Sequence, residues 1–184
     1  MLTAAGVPFA VAPADIDEAA EKIRLQAAAT SPADVALALA ILKAQDVAGR
    51  YPSSCVLGSD QTLSLNDGAM FDKPLSSATL KNQLLQLAGT THALHSAAAL
   101  VLDGVVVWQA VETVMMTMRS LSDEFVDNYV AAATPDLLGC VGGYQIEGVG
   151  LQLFTAIEGS YHAILGLPLL PLLSALRDRG IIAQ

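Results

Sequence analysis

The sequence predicts an α/β domain, a twisted mixed sheet flanked by helices. Three observations predict it. Cys55-Val56-Leu57-Gly58-Ser59 is a short apolar run of the kind that forms a buried strand. Ser31-Pro32 supplies an N-cap and a proline at the first helical position before a long apolar segment. Asp103-Gly104 separates two long strand-like stretches, a hairpin signal. With 184 residues, 53% of them hydrophobic, the chain is expected to fold as one domain over 1–184 and to bury a core without staples.

The elements follow in order. Met1 to Gly6 reads as the last turn of a helix, stopped by Gly6. Pro8 to Ile16 reads as a strand entering the acidic loop Asp15-Ile16-Asp17-Glu18. The helix from Pro32 to about Ala48 is apolar almost all round, which predicts burial. The strand from Cys55 is expected to end at Asp60. Thr62-Leu63-Ser64-Leu65 alternates, and Asn66-Asp67-Gly68 supplies a turn into a return strand before Asp72-Lys73-Pro74. Ser76 to Leu87 reads as a helix stopped by Gly89. Thr91 to Leu102 and Val105 to Met118 form the hairpin. Ser122 caps a helix to about Ala133. Gly139 to Gly150 is rich in glycine, Leu151 to Phe154 reads as a strand, and Pro168 opens a last helix closed by Gly180.

Composition excludes several functions. The net charge is −9, with nine Lys and Arg scattered among eighteen Asp and Glu. A nucleic-acid polymer needs a basic stripe, so none is expected as a partner. No apolar run reaches the ~18 residues of a membrane span, and no basic segment precedes an apolar one at the N-terminus. No membrane partner is expected. Cys55 and Cys140 are too few for a disulfide framework, which suits a reducing cytoplasmic compartment.

Asp60 is the first candidate functional residue. A carboxylate just past the carboxyl end of a buried strand sits where open α/β sheets bind ligands, and it could hold a cation or activate water. It could equally cap a turn through its own backbone. Lys43 is the only cation in its apolar helix; it either reaches a phosphate or snorkels to solvent. Lys73, fixed in an extended approach by Pro74, is open to the same two readings. Asp17 and Glu18 could hold a metal or simply be solvated. The stretch Gly142 to Gly150 permits close approach to a ligand. It is no P-loop, because Val149 follows Gly148, and no GxGxxG, because Leu153 takes the third position after Gly148 and Gly150. His92 and His95, three apart in a strand, face opposite sides. No zinc spacing and no GxSxG elbow is present.

The ordered set of motifs resembles the Maf family, the septum-formation-inhibitor-like proteins. It comprises Gly6-Val7-Pro8-Phe9, Asp15-Ile16-Asp17-Glu18, Leu42-Lys43-Ala44, Leu57-Gly58-Ser59-Asp60-Gln61, Asp72-Lys73-Pro74 and Leu87-Ala88-Gly89-Thr90-Thr91-His92. It continues with Arg119-Ser120-Leu121-Ser122-Asp123-Glu124, Gly143-Tyr144-Gln145-Ile146-Glu147-Gly148, Glu158-Gly159-Ser160-Tyr161 and Gly166-Leu167-Pro168. The resemblance covers essentially the whole chain. It implies a Maf/ITPase-like fold and hydrolysis of nucleoside triphosphates to monophosphate and pyrophosphate, with Mg²⁺ or Mn²⁺. It makes Asp60 the proton acceptor and a metal contact, Glu18 the second metal-side acid, and Lys43 and Lys73 phosphate contacts. Gln61 stands where the dTTP/UTP-hydrolysing branch usually has Thr, and Glu147 where that branch has Gln. Both resemble the branch acting on 7-methyl-GTP, and both are expected to contact substrate. A homodimer is compatible with the resemblance.

The resemblance also sets an expectation for the N-terminus. The family begins with a strand, a Ser-x-Ser-x-x-Arg loop that cradles the triphosphate, and a helix. This sequence starts at Met1-Leu2-Thr3, without the first strand and most of the first helix: either the true start lies upstream, or the copy is truncated, and a truncated copy is expected to bind triphosphate more weakly and to expose a sheet edge. Two rival functions follow: a catalytically weakened nucleotide-binding or cell-division regulatory relative, and a purely structural module.

Overall fold

The computed structural model describes residues 1–183. Its helices are α1 (Glu18–Ala27), α2 (Pro32–Arg50), α3 (Ser77–Leu87), α4 (Asp123–Ala131), α5 (Pro135–Leu138), α6 (Tyr161–Ile164) and α7 (Leu169–Asp178). Its strands are β1 (Val56–Ser64), β2 (Met70–Phe71), β3 (Thr91–Leu102), β4 (Val105–Met118) and β5 (Phe154–Glu158), in the sheet order β2-β1-β3-β4-β5. The α/β class is as expected. The pairs β1/β2 and β4/β5 run antiparallel. No described helix is long and apolar enough to cross a membrane.

The chain divides into two compact units. The first contains Met1–Gln61, His95–Glu112 and Ser160–Gln184; the second contains Thr62–Leu94 and Thr113–Gly159.

In the first unit, β3 has two different faces because successive strand residues point to opposite sides. Ala97 packs with Ala36 and Ala40 of α2, and Val101 packs with Ala44 and Ala48. Ala98 and Leu100 instead pack with Leu169, Leu172, Ala175 and Leu176 of α7. The α2 side is a seam of small residues. At Gly58 in β1, a Cβ would lie 2.1 Å from the Ala40 carbonyl oxygen and 2.8 Å from the Ala44 Cβ. Only glycine permits this approach. The apolar character of α2 is thus explained: its buried residues are Val35, Ala36, Leu39, Ala40, Ala44, Val47 and Ala48.

In the second unit, α3 buries Leu80, Leu84 and Leu87, and α4 buries Val126 and Tyr129. The Tyr129 hydroxyl donates to the Gly143 carbonyl at 3.2 Å. Lys81 and Asp127 form an ion pair in solvent.

Most predicted boundaries agree with the structure because local chemistry sets them. Ser31, Ser76 and Ser122 each cap their helix by accepting a backbone N–H. Asp103 and Gly104 turn the hairpin with φ 49° and 78°. Four expectations are corrected. Pro8 to Ile16 is not a strand: it forms no regular element, and Phe9 and Val11 are exposed. Side chains tether it instead, through Asp46 accepting from the Asp15 N–H and Arg50 donating to the Pro13 carbonyl. The acidic loop is in part a helix, α1, whose N-cap is Asp17. Asp60 is mid-strand, because the apolar run and the alternating segment after it are one continuous strand. Leu151 to Leu153 form a 3-10 turn, and the strand begins only at Phe154, where the chain meets β4 at Met118.

Candidate active site

The site in the first unit is built by two periodicities. Residues Val56, Gly58 and Asp60 share one face of β1. Val56 packs among the α2 contacts, and Gly58 lies against the α2 backbone. Asp60 must therefore face the same way. On α2, Ala36, Ala40 and Ala44 repeat every fourth residue against the sheet, so Lys43 emerges beside that seam. The Lys43 ammonium donates to Asp60 Oδ1 at 2.7 Å. At the first position of α1, Glu18 brings its Oε2 within 2.9 Å of the same nitrogen. Asp17, the neighbouring acid, is used as a cap and accepts from the Ala20 N–H at 3.0 Å.

Exposure is graded across this triad. The side chains are 12% exposed for Asp60, 21% for Lys43 and 53% for Glu18. Burial pushes the Asp60 carboxyl above the usual carboxylate range, against the pull of Lys43. Burial also disfavours the Lys43 ammonium, but its hydrogen bonds to Asp60 and Glu18 outweigh that and raise it above its ordinary value. A carboxylate with raised basicity is a better proton acceptor at neutral pH. An ammonium anchored by two acids keeps its charge and has a fixed place from which to stabilise anionic oxygens.

Asp60 and Glu18 converge on one cationic nitrogen, so two carboxylates face one place. Among the described residues no group of three His, Cys, Asp or Glu side chains forms a closed cage. Mg²⁺ and its kin prefer this situation: one or two carboxylates, with water and substrate phosphates completing the shell. The donor set fits a divalent cation.

Gln61 points to the opposite face of β1. Its amide nitrogen donates to Ser96 Oγ at 2.8 Å, to the Ala163 carbonyl at 2.9 Å and to the Ile164 carbonyl at 3.1 Å. Ser96 Oγ in turn donates to the Ala163 carbonyl. Carbonyls only accept, so the nitrogen end must face them. The donors of Gln61 thus tie the residue after Asp60 to α6, and only its Oε1 remains to meet a ligand. Ser96 and the two carbonyls were not singled out in the sequence, and no local pattern marks them.

Lys73 and Glu147 belong to the second unit. Lys73 is exposed ahead of the buried Pro74, and Glu147 is exposed on the glycine-rich stretch, after the buried Ile146 and before the exposed Gly148. His92 in the same unit is fully buried, and its Nε2 lies 2.7 Å from the Tyr144 hydroxyl.

Known proteins share this sequence pattern throughout. A family model described as Maf-like protein matches residues 1–179. The 7-methyl-GTP pyrophosphatase of Mesorhizobium japonicum is 50% identical over 182 residues, 99% of this chain and 91% of that protein. The 7-methyl-GTP pyrophosphatase of Rhizobium etli is 48% identical over 178 residues, 97% of this chain and 89% of that protein. The nucleoside triphosphate pyrophosphatase of Rhodospirillum rubrum is 44% identical over 182 residues, 99% and 90% respectively.

Proposed function

The chain belongs to the Maf-like protein family, and on that premise we propose that it is a nucleoside triphosphate pyrophosphatase whose preferred substrate is 7-methyl-GTP. The observation that carries the chemistry is the 2.7 Å pairing of Asp60 with Lys43, with Glu18 on the same ammonium.

The reaction is a displacement at the α-phosphorus. A water oxygen forms the new P–O bond, the α–β anhydride bond breaks, and its electron pair leaves on pyrophosphate. Asp60 accepts the proton of the attacking water. Charge grows on the non-bridging oxygens, and the Lys43 ammonium stabilises it. Lys73 is proposed as a second phosphate contact. Asp60 and Glu18 would hold Mg²⁺ or Mn²⁺, which supplies Lewis-acid charge at the phosphate oxygens.

Base preference is assigned to Glu147, with the Gln61 oxygen as a further acceptor toward substrate. A carboxylate only accepts hydrogen bonds, and guanine offers N1–H and an exocyclic amine on one edge, whereas uracil and thymine offer one N–H. Methylation at N7 leaves the purine positively charged, which favours a carboxylate again.

The two free cysteines, Cys55 and Cys140, support a cytoplasmic setting. A homodimer is proposed on the resemblance alone, and sedimentation of the purified protein measures it. The function is tested by pyrophosphate release from 7-methyl-GTP, GTP, UTP and dTTP with Mg²⁺ or Mn²⁺. The expected order places 7-methyl-GTP first. A clear preference for UTP or dTTP overturns the base assignment, and no release from any of the four overturns the enzyme.

A further inference from the structure

The second unit buries a polar pair that the reaction does not use. His92 is 0% exposed and Tyr144 is 5% exposed. Their hydrogen bond joins β3 to the glycine-rich stretch, 52 residues further along the chain. The other imidazole nitrogen, Nδ1, is buried without a partner. Two phenyl rings would fill the same space without an orphaned nitrogen, so the pair costs stability. What it supplies is orientation. An aromatic ring alone can slide in its pocket; a hydroxyl bonded to a ring nitrogen has one place to be.

The surrounding contacts carry that orientation along the backbone. Phe154 packs edge-on to Tyr144, with centroids 4.8 Å apart, and is also within 6.0 Å of the His92 ring. The residue before Tyr144 is held by the Tyr129 hydroxyl at the Gly143 carbonyl. The residues after it turn back at once. The Gly148 N–H donates to the Gln145 carbonyl at 3.4 Å, and a Cβ at Gly150 would lie 2.4 Å from that same oxygen. Glu147 stands on this turn, exposed, after the buried Ile146 and before the exposed Gly148.

We propose that His92 and Tyr144 are a positioning pair for base recognition: their hydrogen bond fixes the turn that presents Glu147, and so sets discrimination between guanine-type and pyrimidine triphosphates. Neither side chain touches the substrate. The inference rests on Glu147 as the base contact, and its test separates the two.

Tyr144→Phe keeps the ring and removes only the hydroxyl, and His92→Phe removes the other end of the bond. Glu147→Gln is the control. For each, kcat and KM are measured with 7-methyl-GTP and with UTP, beside a thermal melt. A loosened base contact is lost binding, so KM for 7-methyl-GTP should rise while kcat stays within about twofold. The ratio of kcat/KM for 7-methyl-GTP over UTP should fall about fivefold in Tyr144→Phe, the size of one hydrogen bond, and further in Glu147→Gln. A purely structural role would lower both substrates together and leave the ratio unchanged. If Glu147→Gln collapses the ratio and both Phe variants keep it within twofold, the positioning pair is overturned and the base reading survives. If Glu147→Gln leaves the ratio unchanged, the base reading fails and the inference falls with it.

Discussion

The two units of this protein differ in whether charge is drawn into burial. The first unit draws ionised side chains into partial burial and makes them hold one another, with Lys43 between Asp60 and Glu18. The second unit buries a neutral pair, His92 and Tyr144, and leaves Lys73, Lys81, Asp127 and Glu147 in solvent. Charge that is half-withdrawn from water acts strongly at short range, which suits making and breaking bonds to phosphorus. A buried neutral pair carries no field but fixes shape. On the roles proposed for the two units, chemistry and recognition ask for different kinds of polar burial.

Four experiments break or sharpen that contrast. Asp60→Asn should have the largest effect, a fall in kcat of about 10²–10⁴-fold, measured by pyrophosphate release. A loss below tenfold would make the first unit's triad a structural ion pair. Next is Gly58→Ala, which forces a methyl into the α2 backbone and should cost about 3 kcal/mol in urea unfolding. A loss well under 1 kcal/mol would mean that α2 backs away easily and does not fix Lys43.

The third experiment tests neutrality in the second unit. Burial holds the His92 pKa at about 4, against an ordinary 6.5. Between those values the unfolded chain binds a proton that the folded chain refuses, so stability falls as pH drops from 6.5 and levels off near 4. Wild type should lose about 2 kcal/mol more than His92→Phe between pH 7 and pH 5, read from denaturant midpoints. Equal losses would show that His92 is not held neutral. The smallest effect belongs to Lys81→Ala. Its ion pair with Asp127 lies in solvent, and the unfolding midpoint should not move.

Much of the fold was readable because the signals were local. Ser31-Pro32, Ser76, Ser122 and Asp103-Gly104 act on residues a few positions away, and each marks a real boundary. The errors came where an element depends on distant partners. Pro8 to Ile16 carries strand-like residues, but a strand exists only when paired, and nothing local says whether a partner is there. In α1 charge outweighs apolar periodicity, although Asp17 as cap and Glu18 and Glu21 in the first turn were legible helix signals. The site was readable as residues and not as geometry. Lys43 stood out as the lone cation of an apolar helix, and Asp60 as an acid on a buried strand. Their pairing spans 17 residues, while the bonds of Gln61 reach partners 35, 102 and 103 residues away. Such separations leave no trace in spacing.

The small-residue seam of the first unit has a further consequence for variation. Ala36, Ala40 and Ala44 meet Gly58 and Ala97 at side chains with almost nothing left to trim, so substitution there can hardly go in any direction but larger. Lys43 and Asp60 lie directly beside it, with side chains 21% and 12% exposed, and only replacements of matching size spare the packing there. A saturation library scored once for soluble yield and once for turnover should therefore sort these neighbours. Seam positions would drop out of both screens, and neutral replacements of matching size at the charged pair only out of the second. The scaffold and the chemistry, adjacent in space, would separate as two inheritance patterns.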